Sequence, residues 1–285
     1  MNKNTRPPGY VGRASTLVAA DSPVRRPRGA IGPGPGAGNA PTAALDYEIE
    51  LAAVIGGAAN PIGQPVSAAE APARIFGLTL LCDWSARDIQ AFESRPLGPC
   101  NGKSFATSVG PWVVPLAALA PHRRGLPPGS EAHLPAHLRH AGGPASASVF
   151  DIELEAEVSS SIGGTALVSE AINMSGAGLR FSFEQMVAAL SANGAVIRPG
   201  DLIGSGTLSR TLLPSGPLAT WRLASMSPRA RSGFGCLLEA TYGGRVPLLG
   251  RNWLADGDML TMRGAIPGQA GLSLGEIRGR IQPAV

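Results

Sequence analysis

Apolar and polar positions alternate with period two in ALDYEIELAAVIG (44–56): Tyr47, Ile49 and Leu51 share one face, and Glu48 and Glu50 share the other. That spacing predicts a strand. IFGLTLLC (75–82) is a continuous apolar run, so it reads as a buried strand ending at Asp83. VFDIELEAEV (149–158) alternates again. Ser182 with Gln185 forms a capping box for a helix over SFEQMVAALSANG, closed by Asn193-Gly194. Ser85-Ala86-Arg87-Asp88 has the same box with a shorter acid and predicts a brief helix. A Pro-Gly turn leads IRPGDLIGSGTLS into a strand, while GCLLEATY and WLADGDMLTMRG read as further strands.

Strands with one or two helices between them give an α+β class, predominantly β. With Gly 38 and Pro 26 among 285 residues, the chain is punctuated too often for a helical bundle. Residues 29–44 read as a low-complexity linker or excursion, 120–147 as a long surface loop, and 210–233 as an insertion. The length suits one large domain or two small ones. No apolar run reaches about 18 residues, so no membrane span is expected, and the first ten residues lack the apolar stretch of a signal peptide.

The net charge of +4 is uneven. Residues 1–30 carry Lys3, Arg6, Arg13, Arg25, Arg26 and Arg28 against Asp21. A basic arm suits phosphate backbones, but no aromatic interleaving follows it, so no nucleic-acid partner is expected. Three widely spaced cysteines, Cys82, Cys100 and Cys236, point to a reducing compartment.

Chemistry narrows to the acids. On a strand Glu48 and Glu50 project together, and two adjacent carboxylates repel unless a cation sits between them or one takes a proton. Mg²⁺ or Ca²⁺ would resolve this with hard oxygen ligands, although a solvated strand face has the same spacing. Asp151, Glu153, Glu155 and Glu157 show that plainer pattern. Asp83, at the end of an apolar strand, must emerge at a cleft, be paired or bind something. Arg87 and Gln90 share a helical face and suit an oxyanion or carboxylate. Gly102-Lys103-Ser104 is not a P-loop, because three residues rather than four separate Gly98 from Gly102. Lys103 then reads as a fixed cation near substrate or as a surface lysine. His133, His137 and His140 have ligand-like spacing but fall in the Pro-rich segment, where a solvated loop is expected. Glu239, in an apolar run, is a candidate general base or a plain ion-pair partner. No serine or cysteine nucleophile motif is present.

The strings DYEIELA and FGLTLLCDWSARDIQAFESRPLGPCNGKSFATSVGPWVVPLAAL resemble the fumarylacetoacetase branch of the fumarylacetoacetate hydrolase family. GYVGRASTLVAADSPVRRPRG, NGAVIRPGDLIGSGTLS, FGCLLEATYGG and WLADGDMLTMRG carry the resemblance over most of residues 8–265. It implies a mixed β-roll catalytic domain, a homodimer in the cytoplasm, and Mg²⁺ or Ca²⁺ as cofactor. The implied reaction is hydrolysis of the carbon–carbon bond of 4-fumarylacetoacetate to fumarate and acetoacetate, the last step of tyrosine and phenylalanine catabolism. By motif, Glu48, Glu50 and Asp83 would be metal ligands, with Lys103 and Thr107 around the cation and the substrate. Arg87 and Gln90 would hold the substrate and stabilise the departing carbanion. Tyr10 and Thr207 would contact its carboxylate ends, and Glu239 would orient the family's water-activating histidine.

That histidine and a further aspartate ligand lie upstream of the GYxGRAS segment in the family, and MNKNTRPPG contains neither residue type. The expectation is a catalytic domain over residues 1–285, incomplete at its N-terminus, that retains its metal pocket and has impaired water activation. The alternatives are another superfamily chemistry, acylpyruvate hydrolysis or oxaloacetate decarboxylation, or a non-catalytic binding subunit.

Overall fold

The computed structural model describes residues 7, 9–32, 38–160, 174–175, 178–209, 219–226, 233–248 and 250–285. In chain order the strands are β1 (Leu17–Ala19), β2 (Val24–Arg25), β3 (Arg28–Ala30), β4 (Asn39–Pro41), β5 (Leu45–Asp46), β6 (Ile49–Ile55), β7 (Ile75–Asp83), β8 (Ser85–Ala86), β9 (Thr107–Val109), β10 (Val114–Pro115), β11 (Glu153–Ser159), β12 (Met174–Ser175), β13 (Leu202–Gly204), β14 (Met259–Ala265) and β15 (Ser273–Gln282). The helices are α1 (Arg87–Glu93), α2 (Leu116–Leu119), α3 (Phe183–Ser191), α4 (Ala219–Ser225) and α5 (Leu237–Ala240).

One sheet runs β1-β9-β7-β6-β13, with β10 on the first half of β7; the other runs β12-β11-β14-β15-β2. Most pairings are antiparallel, but β1 lies parallel to β9 and β2 parallel to β15, so both sheets are mixed. Leu80 of the first sheet meets Leu154 and Leu274 of the second where Gly264 carries no side chain; a Cβ there would lie 2.8 Å from Leu80. Gly279 likewise leaves room for the Trp84 ring, 2.4 Å from where a Cβ would sit. The predicted mixed β-roll of α+β class is the fold observed. Among the described residues, no helix is long and apolar enough to cross a membrane.

The two predicted strands that frame the chemistry pair with each other. Ile49 faces Cys82 and Glu50 faces Leu81, and the Asp83 amide donates to the Glu48 carbonyl at 3.3 Å. Period two therefore sends Glu48, Glu50 and Asp83 to one face, while Ile49, Leu51, Leu80 and Cys82 enter the core on the other. The acids of β11 line a face that is exposed or half-buried, as expected. The capping box at Ser182 is formed with both hydrogen bonds, and Gly194 ends that helix with φ +83°.

Three segments differ from expectation, and in a fourth, residues 29–44, the chain makes an excursion. The Ser85–Asp88 box does not form: α1 starts after Ala86 with no side-chain cap, because Asp88 accepts from the Ala43 amide at 2.8 Å and from the Thr42 hydroxyl. GCLLEATY is not a strand but contains the single turn α5. Residues 29–44 are not simply a linker, since β3 pairs antiparallel with β4 across them; residues 33–37 lie outside the description. Residues 120–147 are not a plain surface loop: Leu126, Glu131, Leu134, Leu138 and His140 are buried. Among the described residues His140 joins no candidate metal cluster. It bonds Glu131 through Nδ1 and Ser182 Oγ through Nε2 at 2.9 Å. Within 210–233, α4 is helical and packs Leu223 with Phe234, Ala240 and Leu248; residues 210–218 and 227–232 lie outside the description.

Candidate metal centre and active site

Glu48, Glu50 and Asp83 offer carboxylate oxygens that all lie within 4.8 Å of one another. Glu50 and Asp83 are buried and Glu48 is nearly so. The ammonium of Lys103 stands among these acids, 2.6 Å from Glu48 Oε2, 2.7 Å from Asp83 Oδ2 and 2.8 Å from Ser85 Oγ. Lys103 is therefore no surface lysine. Its position follows from Gly102, which packs against α1 where a Cβ would lie 2.6 Å from the Gln90 nitrogen. Glu93, at the end of α1, accepts from the amides of Cys100 and Gly102 at 2.9 and 2.6 Å and fixes the same loop.

Arg87 is buried and held on two edges. Its Nε donates to Asp46 at 2.8 Å, and its Nη1 reaches Glu48 Oε1 at 2.8 Å and Gln90 Oε1 at 3.1 Å. Nη2 is buried with no partner, as is Asp83 Oδ1. Glu50 accepts from the Gly206 amide at 3.1 Å, and Gly204 gives it room, because a Cβ there would lie 2.6 Å from Glu50 Oε2.

The charges do not balance evenly. Burial, followed by Glu48 and Asp83, pushes the Glu50 carboxyl well above the usual range. Burial and Glu48 also raise Asp83, although Lys103 opposes them. Burial acts to raise Glu48, but Lys103 and Arg87 outweigh it and hold that carboxyl low. Burial acts against the charge on Lys103 too, and Glu48 and Asp83 overcome it. A further cation beside Lys103 and Arg87 would relieve Glu50 and satisfy Asp83 Oδ1. The donors are hard oxygens, so the residues fit a hard divalent ion.

The remaining predicted residues surround this cluster to different degrees. Tyr10 donates its hydroxyl to Asp83 and lies with its ring 6.0 Å from Lys103 Nζ. Thr107 sits opposite Asp83 across the β7–β9 pairing. Thr207 flanks Gly235, 2.9 Å from where a Cβ would be. Glu239 accepts from the Ser209 hydroxyl, and burial raises its pKa first, with Glu48 adding to the effect.

Three contributors escaped the sequence reading. Asp46, fully buried, accepts from Arg87 and from the amides of Leu237 and Leu238. Ser85 binds Lys103, and Ser209 bridges Glu239 and the Gly235 amide at 3.0 Å. Asp46 had a signal, since it continues the Glu48/Glu50 spacing by one more step in DYEIE. The two serines had none.

A mixed β-roll whose sheet face gathers three carboxylates under an arginine and a lysine forms a scaffold with a candidate ion site. The sequence family described as fumarylacetoacetate (FAA) hydrolase C-terminal matches residues 1–282. The chain belongs to that fumarylacetoacetate hydrolase family. It is 39% identical to the fumarylacetoacetase of Aspergillus fumigatus and 36% identical to those of Arabidopsis thaliana and Homo sapiens. Each match covers 98% of this chain and 62% of the relative, so the chain spans less than two thirds of those proteins. In fold it is similar to a probable 2-hydroxyhepta-2,4-diene-1,7-dioate isomerase from Mycobacterium abscessus, with TM-score 0.54 at 19% identity over 97% of this chain and 70% of that one. The 2-hydroxyhepta-2,4-diene-1,7-dioate isomerase of Mycobacterium marinum gives 0.52 at 20% identity over 99% and 72%.

Proposed function

We propose that this chain is the catalytic part of a fumarylacetoacetase, hydrolysing the carbon–carbon bond of 4-fumarylacetoacetate to fumarate and acetoacetate. The observation that carries the reading is the convergence of Glu48, Glu50 and Asp83 beneath Arg87 and Lys103. Mg²⁺ or Ca²⁺, held by Glu48, Glu50 and Asp83, would polarise the diketone oxygens and spread developing negative charge. Each other role falls to a side chain. The unpartnered Nη2 of Arg87, with Gln90 beside it, donates to the oxygen of the departing enolate. Lys103 supplies a fixed positive charge among the acids, and Thr107 lies opposite Asp83 on β9. Tyr10 and Thr207, on opposite sides of the cluster in sequence, receive the substrate's carboxylate ends. Glu239, its carboxyl raised by burial, orients or accepts the proton of the attacking water. Water adds to the carbonyl carbon, the carbon–carbon bond breaks, and the carbanion takes up a proton to leave acetoacetate.

The family's relatives support this substrate over acylpyruvates or oxaloacetate, because the similarity to fumarylacetoacetases spans nearly the whole chain. The free cysteines accord with a cytoplasmic protein, and the family resemblance supports a homodimer. The test is turnover, with added Mg²⁺ or Ca²⁺, of 4-fumarylacetoacetate and of an acylpyruvate. Consumption of the first alone supports the reading; consumption of the acylpyruvate alone overturns it.

A further inference from the structure

Asp46 belongs to none of the reacting groups, yet it is completely buried and surrounded by donors. Its Oδ1 accepts from the Tyr47 and Leu237 amides, each at 2.8 Å. Its Oδ2 accepts from Arg87 Nε at 2.8 Å and from the Leu238 amide at 2.9 Å. A buried carboxylate is tolerated when its lone pairs are used in this way. The arrangement does more than satisfy a charge, because its partners lie on two different walls of the site. Arg87 is on α1, whereas Leu237 and Leu238 begin α5, the turn that carries Glu239.

From this geometry we infer that Asp46 is a positioning residue that sets the aim of Arg87 and the placement of Glu239 together. The inference rests on the hydrolase reading above. A guanidinium is planar, so fixing Nε on Asp46 and Nη1 on Glu48 leaves Nη2 one direction to point. Without the first contact the plane can turn about its bond to Glu48, and Nη2 no longer meets the same oxygen. Without the Asp46 carboxylate, α5 also loses the acceptor for its opening Leu237 and Leu238 amides, and Glu239 shifts with it. Displacements of that kind act on the transition state more than on substrate capture.

Asp46→Asn keeps the shape and the Oδ1 side but sets an amide N–H₂ against Arg87 Nε and the Leu238 amide. With 4-fumarylacetoacetate and saturating Mg²⁺, kcat falls about tenfold or more while KM stays within about threefold. Mg²⁺ affinity, read by calorimetry, stays within about threefold because all three carboxylate ligands remain. Val158→Ala, in the second sheet away from the site, lowers thermal stability and leaves kcat unchanged, which separates positioning from general loosening. In an Arg87→Gln background, Asp46→Asn costs less than it does alone, whereas a purely structural role would cost the same. If Asp46→Asn does not fold, Asp46→Glu, with the charge kept on a longer arm, shows the same fall in kcat at unchanged Mg²⁺ affinity. A folded Asp46→Asn with unaltered kcat overturns the inference and leaves the hydrolase reading standing. An unaltered chain that neither binds Mg²⁺ nor turns over the diketone overturns both.

Discussion

Lys103 neutralises two carboxylates at once, so its removal leaves Glu48 with Arg87 alone and Asp83 beside it without its cation. Breaking a buried pair from one side costs about 3–5 kcal/mol. Lys103→Met should therefore lower the melting temperature of the ion-free protein clearly. Mg²⁺ should raise it more in the variant than in the unaltered chain, because an ion at about 100 times its Kd returns about 2.7 kcal/mol. Melts with and without Mg²⁺ check this, and equal Mg²⁺ shifts in both proteins would contradict it. The pairing of Glu48 with Glu50 on one face was readable from the chain because side-chain direction alternates along a strand. The partners of Lys103 were not, because they lie 55 and 20 residues away in sequence. Only the folded loop after α1 brings the ammonium to them.

Elements hold the site by close approach and by capping. Gly204 on β13 faces Glu50 so closely that Gly204→Ala must push the carboxylate aside. The variant should keep its fold and lose about tenfold or more in divalent affinity, by analogy with lost support of a ligand; calorimetry on folded protein decides. At α3, Ser182 caps the helix and also meets His140, which lies between Glu131 and Glu184. Burial opposes the charge on His140, but Glu184 and Glu131 outweigh it and raise its pKa. Burial acts to raise Glu184, and His140 and Ser148 outweigh that and lower it. The histidine's contribution to stability is full below its unfolded value near 6.5 and fades as pH rises through its raised folded value. The glutamate's contribution is present above its unfolded value near 4.5 and fades as pH falls through its lowered one. The stability gap between the unaltered chain and His140→Gln should thus be widest near pH 4.5–6.5 and narrow as pH rises beyond it. Thermal melts across pH test this; a gap that widens toward pH 9 would contradict it. Beyond the Ser182 capping box this network was not legible, because the Pro, Gly and Arg of residues 120–147 mask the spaced Leu126, Leu134 and Leu138 that bury the segment. GCLLEATY misled for a different reason. Its apolar run suits a strand, but Asp46 captures the amides of Leu237 and Leu238 and starts a helical turn instead.

At the scale of the molecule, two mixed sheets packed through Trp84, Leu80 and Leu154 support a site drawn from distant parts of the chain. Alternation in β6 and β11 and the apolar run of β7 made the β-rich class legible. The parallel placement of β1 on β9 and β2 on β15 was not, since short strands carry too few residues to show a period. Arg26, one of the basic residues near the start of the chain, is part of this scaffold: it reaches Asp256 at 2.6 Å and the Leu254 carbonyl at 3.0 Å. The account depends on the face where β6 meets β7 holding a divalent ion. The direct measurement is a calorimetric titration of Mg²⁺, and separately Ca²⁺, into the unaltered chain and into Glu48→Gln. We expect saturable binding by the unaltered chain and a loss of about tenfold or more in the variant. Equal affinity in the two, or no binding in either, would contradict the assignment of this acidic face as the metal centre.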